Sequence, residues 1–320
     1  MDMIIIDSNL QDIGPSDCEY DMEVGLHNDA TNDFMMKTTD PVIVSAYGCY
    51  IEGTEYGGLF EEIRQSTDSN ETTILGETWR GLLAKATVLP TSGIIRAVSG
   101  DANTILSGLL NNVLGGLFVV PSESSGVTIT NYEMSAYNPI LNELDTMLTE
   151  YNAKLVIKSV KVAGVLRLSA EIKPAVNIAG EYNADNDIPL DFVDYRRGFN
   201  HCIAVGGSSG GTVIHLYADA SGNISTTQTY TGIQERTMAH LNTSLSNSSE
   251  LKKEATEAFK EALNYKSLDI DDAQAEDMGD IGDIITGTRG DLTVQSPIAR
   301  KVIAYKNGRQ TITCNIKGGD

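Results

Sequence analysis

The chain has 320 residues, with 44 acidic against 23 basic side chains and a formal net charge of -21. Phosphate neutralisation needs clustered Lys and Arg, and none occurs here, which argues against nucleic-acid binding as the main role; 41% hydrophobic residues exclude wholesale disorder. The length suits two or three packed domains, and frequent Gly (30) with few aromatics (6%) suits short strands and turns.

The first ninety residues read as β. Met3–Ile6 is a short apolar strand, and Tyr20, Met22, Val24 and Leu26 alternate with polar residues or Gly at the period of a half-buried strand. Phe34–Met36, Val42–Ile51, Leu59–Ser66 and Thr72–Thr78 follow, separated by short polar turns, which suggests hairpins or a meander folded into a barrel-like sheet. The pattern then changes. Trp79–Lys85 is compact and apolar, with Trp79 as a core anchor, and Asp101 can cap a helix to about Leu114, where Gly115-Gly116 stops it. Asn138-Pro139 opens a second helix with Asn as cap, whose buried stripe is Ile140, Leu141, Leu144, Met147, Leu148 and Tyr151. Leu155–Lys173 reads as two strands around a turn at Ala163-Gly164.

From about Ile188 the chain returns to β. Phe199–Val205 and Thr212–Tyr217 flank Gly206–Gly211 as a hairpin, and Ser248–Tyr265 is the strongest helix, with Leu251, Ala255, Ala258, Phe259 and Ala262 on one face. Ile284–Ile316 reads as three strands with turns at Arg289-Gly290 and Asn307-Gly308, the latter a strong hairpin signal. The expected fold class is α+β and β-rich, with two barrel-like β domains and an α/β middle domain. The expected boundaries are 1–90, 91–187 and 188–320, with an inserted helix at about 248–265.

Four cysteines (Cys18, Cys49, Cys202, Cys314) lie far apart without a CxxC pair, so they read as reduced, half-buried small hydrophobes rather than zinc or redox sites. No basic region with a following apolar run marks a signal peptide, and no stretch has the apolar length to span a bilayer. The expectation is a soluble protein assembled in a cytoplasm.

Each motif with possible chemistry meets a simpler reading. Gly206–Gly211 is followed by the strand residues Thr212-Val213-Ile214 and not by the Lys and helix of a phosphate cradle, which favours a hairpin. The acidic run Asp269, Asp271, Asp272, Glu276, Asp277, Asp280, Asp283 lacks the ligand spacing of a calcium loop and reads as solvated. His27, His201, His215 and His240 form no HExxH, although His201 and His215 lie on neighbouring predicted strands and can meet in space. Cys202 beside His201 is no dyad, because strand neighbours point to opposite faces. Glu61-Glu62 and Asp271-Asp272 do not make a glycosidase pair, and Thr226–Ser249 reads as a hydroxyl-rich surface loop or strand pair. No GxSxG elbow occurs. No catalytic, cofactor-binding or metal-binding residue is therefore assigned, and no enzyme is expected.

Two segments carry a resemblance. One is Gly76-Glu77-Thr78-Trp79-Arg80-Gly81-Leu82-Leu83-Ala84-Lys85, continuing to Pro90. The other is Gly282-Asp283-Ile284-Ile285-Thr286, with Pro297-Ile298-Ala299-Arg300-Lys301-Val302-Ile303, Asn307-Gly308 and Thr311-Ile312-Thr313. Their order and spacing resemble the tail-tip hub family of siphophages and prophages, the N-terminal region of tail-associated lysins, which is similar in fold to phage baseplate hub proteins. The resemblance covers essentially the whole chain. It implies a homotrimeric, pseudo-hexameric hub ring in the virion tail tip, joining the tube to tip or receptor-binding components and letting DNA or tape-measure protein pass. Implied partners are the distal tail protein ring, the tape-measure protein and tip fibre or lysin proteins. It implies no intrinsic catalysis. Longer relatives carry a hydrolase downstream, and none is expected here because the chain stops at Asp320. An acidic lumen would repel phosphate and lower DNA sticking. The alternatives are a receptor- or carbohydrate-binding tail protein, against which the low aromatic content weighs, and a tail-associated cell-wall hydrolase, for which no convergent site is legible.

Overall fold

The computed structural model describes residues 3–40, 43, 46–68, 70–111, 114–179, 191–207, 211–274, 279–289 and 292–316. Two compact units result: residues 1–190 with 270–317, and residues 191–269 with 318–320. Both sides of the expected boundary at residue 90 belong to the first unit, and the expected boundary at 187/188 lies outside the described residues. The fold is β-rich, with a curled half-barrel sheet.

The first unit begins with β1 (Met3–Ile6), β2 (Asp12–Ser16), β3 (Glu19–Gly25), β4 (Asp33–Thr38), β5 (Gly48–Tyr50), β6 (Gly57–Gln65) and β7 (Thr72–Thr78). After helix α1 (Trp79–Lys85) come β8 (Ile95–Asp101), α2 (Ala102–Leu110), β9 (Phe118–Val119), β10 (Thr128–Ser135), α3 (Ile140–Glu150), β11 (Ala153–Val162), β12 (Val165–Pro174) and β13 (Asn177–Ala179). The second unit holds β14 (Asp191–Tyr195), β15 (His201–Gly206), β16 (Thr212–Ala218), β17 (Ile224–Ser225), β18 (Thr237–Asn242), α4 (Ser248–Glu261) and the start of β19 (Tyr265–Gln274). The chain closes in the first unit with β20 (Ile284–Arg289), β21 (Leu292–Lys306) and β22 (Arg309–Ile316).

The main sheet of the first unit runs β22-β21-β3-β4-β7-β6-β5-β1-β2, antiparallel throughout. Alternation decides which face is buried. Tyr20, Met22 and Val24 of β3 face a core with Met36, Ile74, Met3 and Ile5, while Glu19, Asp21 and Glu23 face away. The C-terminal strands pair with those of the first ninety residues: Ile303 of β21 lies opposite Met22 of β3 and enters the same core. A second core lies among α1, α2, α3, β11 and β12.

Local signals explain the element ends. Thr78 caps α1: its hydroxyl donates to Asn32 O (2.7 Å) and accepts from Gly81 N (3.3 Å). Gly81 admits no side chain, because a Cβ there would lie 2.3 Å from Asn32 O. Asp101 caps α2 through Asn103 N at 2.9 Å. That helix stops at Leu110 and residues 114–116 form a separate 3-10 turn, so it is shorter than the apolar spacing suggests. The cap of α3 is Pro139, one residue later than expected, and makes no side-chain bond; Glu143 instead takes Ser135 N (2.9 Å) and Asn138 Nδ2 (2.7 Å). In the second unit α4, capped by Asn247, ends at Glu261 rather than near Tyr265, because Tyr265 opens β19 and pairs with Tyr195. Its Leu251, Ala255 and Phe259 cover Cys202, Ala204, Leu216 and Ala218 of the sheet β17-β16-β15-β18. Both two-residue turns, Ala163-Gly164 and Asn307-Gly308, have positive φ at both positions, as a type I′ hairpin requires. Among the described residues no helix is long and apolar enough to cross a membrane.

Candidate functional site

The two segments singled out in the sequence are some two hundred residues apart, yet both dock on neighbouring residues of β11. Arg80, in the first turn of α1, is 2% exposed; its Nε pairs with Glu55 Oε2 at 2.9 Å and its Nη2 donates to Leu155 O at 2.8 Å. Lys154, one residue earlier on β11, places Nζ 2.8 Å from Asp280 Oδ2 and 2.7 Å from Asp283 Oδ2. Asp283 is buried and its carboxylate also accepts from Val176 N (2.8 Å) and Asp280 N (2.8 Å). Lys301 of β21 donates to Gly279 O and ties down the start of this turn. Gly282 has φ +90 and a Cβ there would lie 2.9 Å from Lys154 Cβ, so only glycine lets the turn lie against β11.

Electrostatics match the geometry. Burial acts to lower Lys154, but its hydrogen bonds to Asp280 and Asp283 win and hold its pKa above the ordinary value. For Asp280 burial acts upward, and the Lys154 ammonium overrides it and holds the carboxyl low. A cavity of about 130 Å³ borders Arg80, Asp145, Lys154, Leu155 and Ile281. A second, of about 190 Å³, borders Glu55, Tyr56, Arg80, Asp280 and Lys301. The arrangement is a buried clamp: paired charges lock three distant parts of the chain together.

Asp145 of α3 accepts from His27 N at 2.7 Å and has its pKa raised from 3.8 to about 7. Burial is the main cause; Arg80 and the His27 amide pull it down, and Asp29 pushes it up. A carboxyl raised on folding favours the folded chain while protonated. That contribution is complete below the unfolded value and is lost as pH rises through about 7. Asp145→Asn keeps the shape and an oxygen for His27 N. It is expected to flatten the stability profile between about 4 and 7 and to exceed the parent at pH 8 by about 2–4 kcal/mol. Urea unfolding followed by the fluorescence of Trp79, the single tryptophan and fully buried, across a pH series measures this.

The other residues singled out in the sequence are placed as follows. Gly206 and Thr212 face each other across the β15–β16 hairpin, while residues 208–210 lie outside the described residues. Of the acidic run, Asp283 is buried in the clamp rather than solvated, and Asp280 pairs with Lys154 while staying exposed; Asp269, Asp271 and Asp272 lie in β19, and Glu276 and Asp277 lie outside the described residues. Glu61 pairs with Lys85 (2.7 Å) and Glu62 with Arg64 (2.8 Å). Thr226–Ser249 contains β18 and the start of α4. All four cysteines are fully buried rather than half-buried, and burial pushes their thiols up, Cys18 to about 11. His240 approaches Glu254 at 3.2 Å. His201 and His215 do meet, with Nε2 and Nδ1 2.9 Å apart. Sequence reasoning missed Arg80, Glu55, Asp145 and Lys154. The available signal was a charge inside an apolar run, as in Trp79-Arg80-Gly81-Leu82-Leu83 and Ala153-Lys154-Leu155-Val156-Ile157.

No family model and no curated protein sequence matches the chain. Solved structures do match, almost end to end. The 43 kDa tail protein of prophage MuSo2 from Shewanella oneidensis superimposes with a TM-score of 0.53 at 9% identity, over 99% of this chain and 98% of that one. A component of the phage P2 baseplate in its activated conformation with Ca gives 0.51 at 11% identity, over 100% of this chain and 99% of that one. A component of a topological model of the p2 virion baseplate in activated conformation gives 0.52 at 11%, over 100% and 99%. The class defined is the fold of phage tail and baseplate proteins. Within it, this chain matches prophage tail and baseplate components along its whole length.

Proposed function

We propose that the chain is a structural, non-enzymatic component of a phage or phage-like tail tip, one subunit of a trimeric hub ring. The observation that carries this reading is the fold shared with the MuSo2 tail protein from one end of both chains to the other. In this reading the curled sheet of the first unit and the sheet of the second supply two barrel-like halves, with residues 91–187 as the α/β part between them in sequence. Three subunits then present six such halves to a hexameric distal tail ring, and tape-measure and tip fibre or lysin proteins complete the site. Assembly takes place in the cytoplasm of a bacterial host. The buried clamp suits a part that transmits force, since it makes a joint from paired charges that cannot slide without exposing one of them unpaired.

The formal net charge of -21 favours passage of DNA without sticking, because it repels phosphate. The face of the main sheet turned from its core carries Glu19, Asp21, Glu23, Asp33, Glu61 and Glu77, and Lys306, Arg300 and Lys85 pair with four of them. Light scattering on a sizing column tests the ring: the expected mass is three times 34.4 kDa. A mass that stays at one chain up to the highest soluble concentration removes the self-assembled ring.

A further inference from the structure

We propose that His201 and His215 form a binding site for a divalent transition-metal ion of the Ni²⁺ and Cu²⁺ class on the face of the second unit's sheet opposite α4. Three strands or their flanks build it. His201 pairs in register with Tyr217 and with Thr237, and His215, two residues before Tyr217, is on the same face, diagonal to His201. The opposite face is the one covered by α4.

Hydrogen bonds set the tautomers. His201 Nδ1 lies 2.7 Å from Glu235 Oε1 and 3.1 Å from Thr237 Oγ1. A carboxylate only accepts when ionised, so Nδ1 carries the hydrogen, and in the neutral ring Nε2 then keeps its lone pair. That lone pair points to His215 Nδ1 at 2.9 Å. A carboxylate on the far nitrogen of a histidine is the usual outer-shell support of a metal ligand, because it orients the ring and raises its basicity. The ring of His201 is also held by Tyr217, with centroids 4.4 Å apart and planes 16° apart, and the residue is only 6% exposed. His215 is exposed and free to adjust. The ion displaces the hydrogen between the two rings, which moves to the other nitrogen of His215, so both imidazoles ligate in neutral form.

The ligand type selects the metal. An ion about 2.0–2.1 Å from both nitrogens lies off the line of the present hydrogen bond, so the exposed His215 ring turns to aim its lone pair at it. Affinity of nitrogen donors along the divalent first-row series rises through Ni²⁺ to a peak at Cu²⁺. Among the described residues no three His, Cys, Asp or Glu side chains converge as a cage, so water completes the shell.

The test is calorimetric titration of untagged full-length chain with NiCl₂, CuCl₂ and ZnCl₂, alongside imidazole NMR spectra. One equivalent of Ni²⁺ or Cu²⁺ is expected to bind more tightly than Zn²⁺ and to broaden the resonances of His201, His215 and Tyr217 in the parent chain. His215→Ala should abolish that binding, Glu235→Gln should weaken it by about 10–100-fold, and His240→Ala should leave it unchanged. The proposal is overturned by the absence of saturable binding in the parent chain, by binding that survives His215→Ala, or by broadening elsewhere than at this pair. The parent spectra depend on no variant, so a folding defect in one of them leaves the outcome readable.

Discussion

Arg80→Met is expected to lower the stability of the first unit by about 3–5 kcal/mol, the range for removing one partner of a buried pair. The methionine keeps most of the side-chain volume, so the loss comes from charge and hydrogen bonding rather than from a cavity. Three groups lose their cation together. Glu55, whose side chain is 15% exposed, keeps a partly buried carboxylate; Leu155 O loses the donor at 2.8 Å; Asp145 loses the guanidinium that opposes its rise. Adding Glu55→Gln should return part of the loss, because the neutral amide no longer needs a counter-charge. Urea unfolding monitored at Trp79, the residue before Arg80, reads the effect directly. A loss under about 1 kcal/mol, the level of an exposed ion pair, would show that the clamp does not hold this unit together.

The second large effect is expected at the other half of the clamp. Asp283→Ala should cost about 3–5 kcal/mol. The buried Lys154 ammonium is left with the half-exposed Asp280 alone, and the Val176 and Asp280 amides lose their acceptor. Asp283→Asn should cost less, because an amide oxygen can keep one of these backbone bonds. Hydrogen exchange separates a local from a global effect. Local opening should speed exchange at Val176, Asp280 and Ile284, the last of which donates to Val176 O, while β3 and β4 stay protected. Uniform acceleration across the main sheet would instead mean that the turn at residues 279–283 holds the whole unit. Since Arg80 and Asp283 act on adjacent residues of β11, their losses should not add.

The clamp explains why the Gly76–Pro90 and Gly282–Thr286 segments stand out together in one chain. Glycines 81 and 282 serve close approach, to Asn32 O and to Lys154, and Arg80 and Asp283 deliver charge to the same strand. The paired segments thus have one physical cause, a joint between a helix start, a central hairpin and a C-terminal turn.

Sequence alone determined what short-range physics controls. Alternation at Tyr20, Met22 and Val24 marked a one-face-buried strand, Asp101 a helix cap, Ala163-Gly164 a turn and Asn307-Gly308 a hairpin. Each depends on φ preferences or on a period of two or a few residues, and so leaves a local trace. Helix ends were less legible: α4 stops at Glu261 because Tyr265 soon pairs with Tyr195, and α2 stops at Leu110 because Asn111 turns to an extended conformation. Only the tertiary structure decided that β21 joins β3 and that Asp283 meets a buried lysine instead of water. Those contacts depend on which surfaces are buried together after long loops close. A charge in an apolar run reads the same before folding whether its partner is solvent or a side chain more than a hundred residues away.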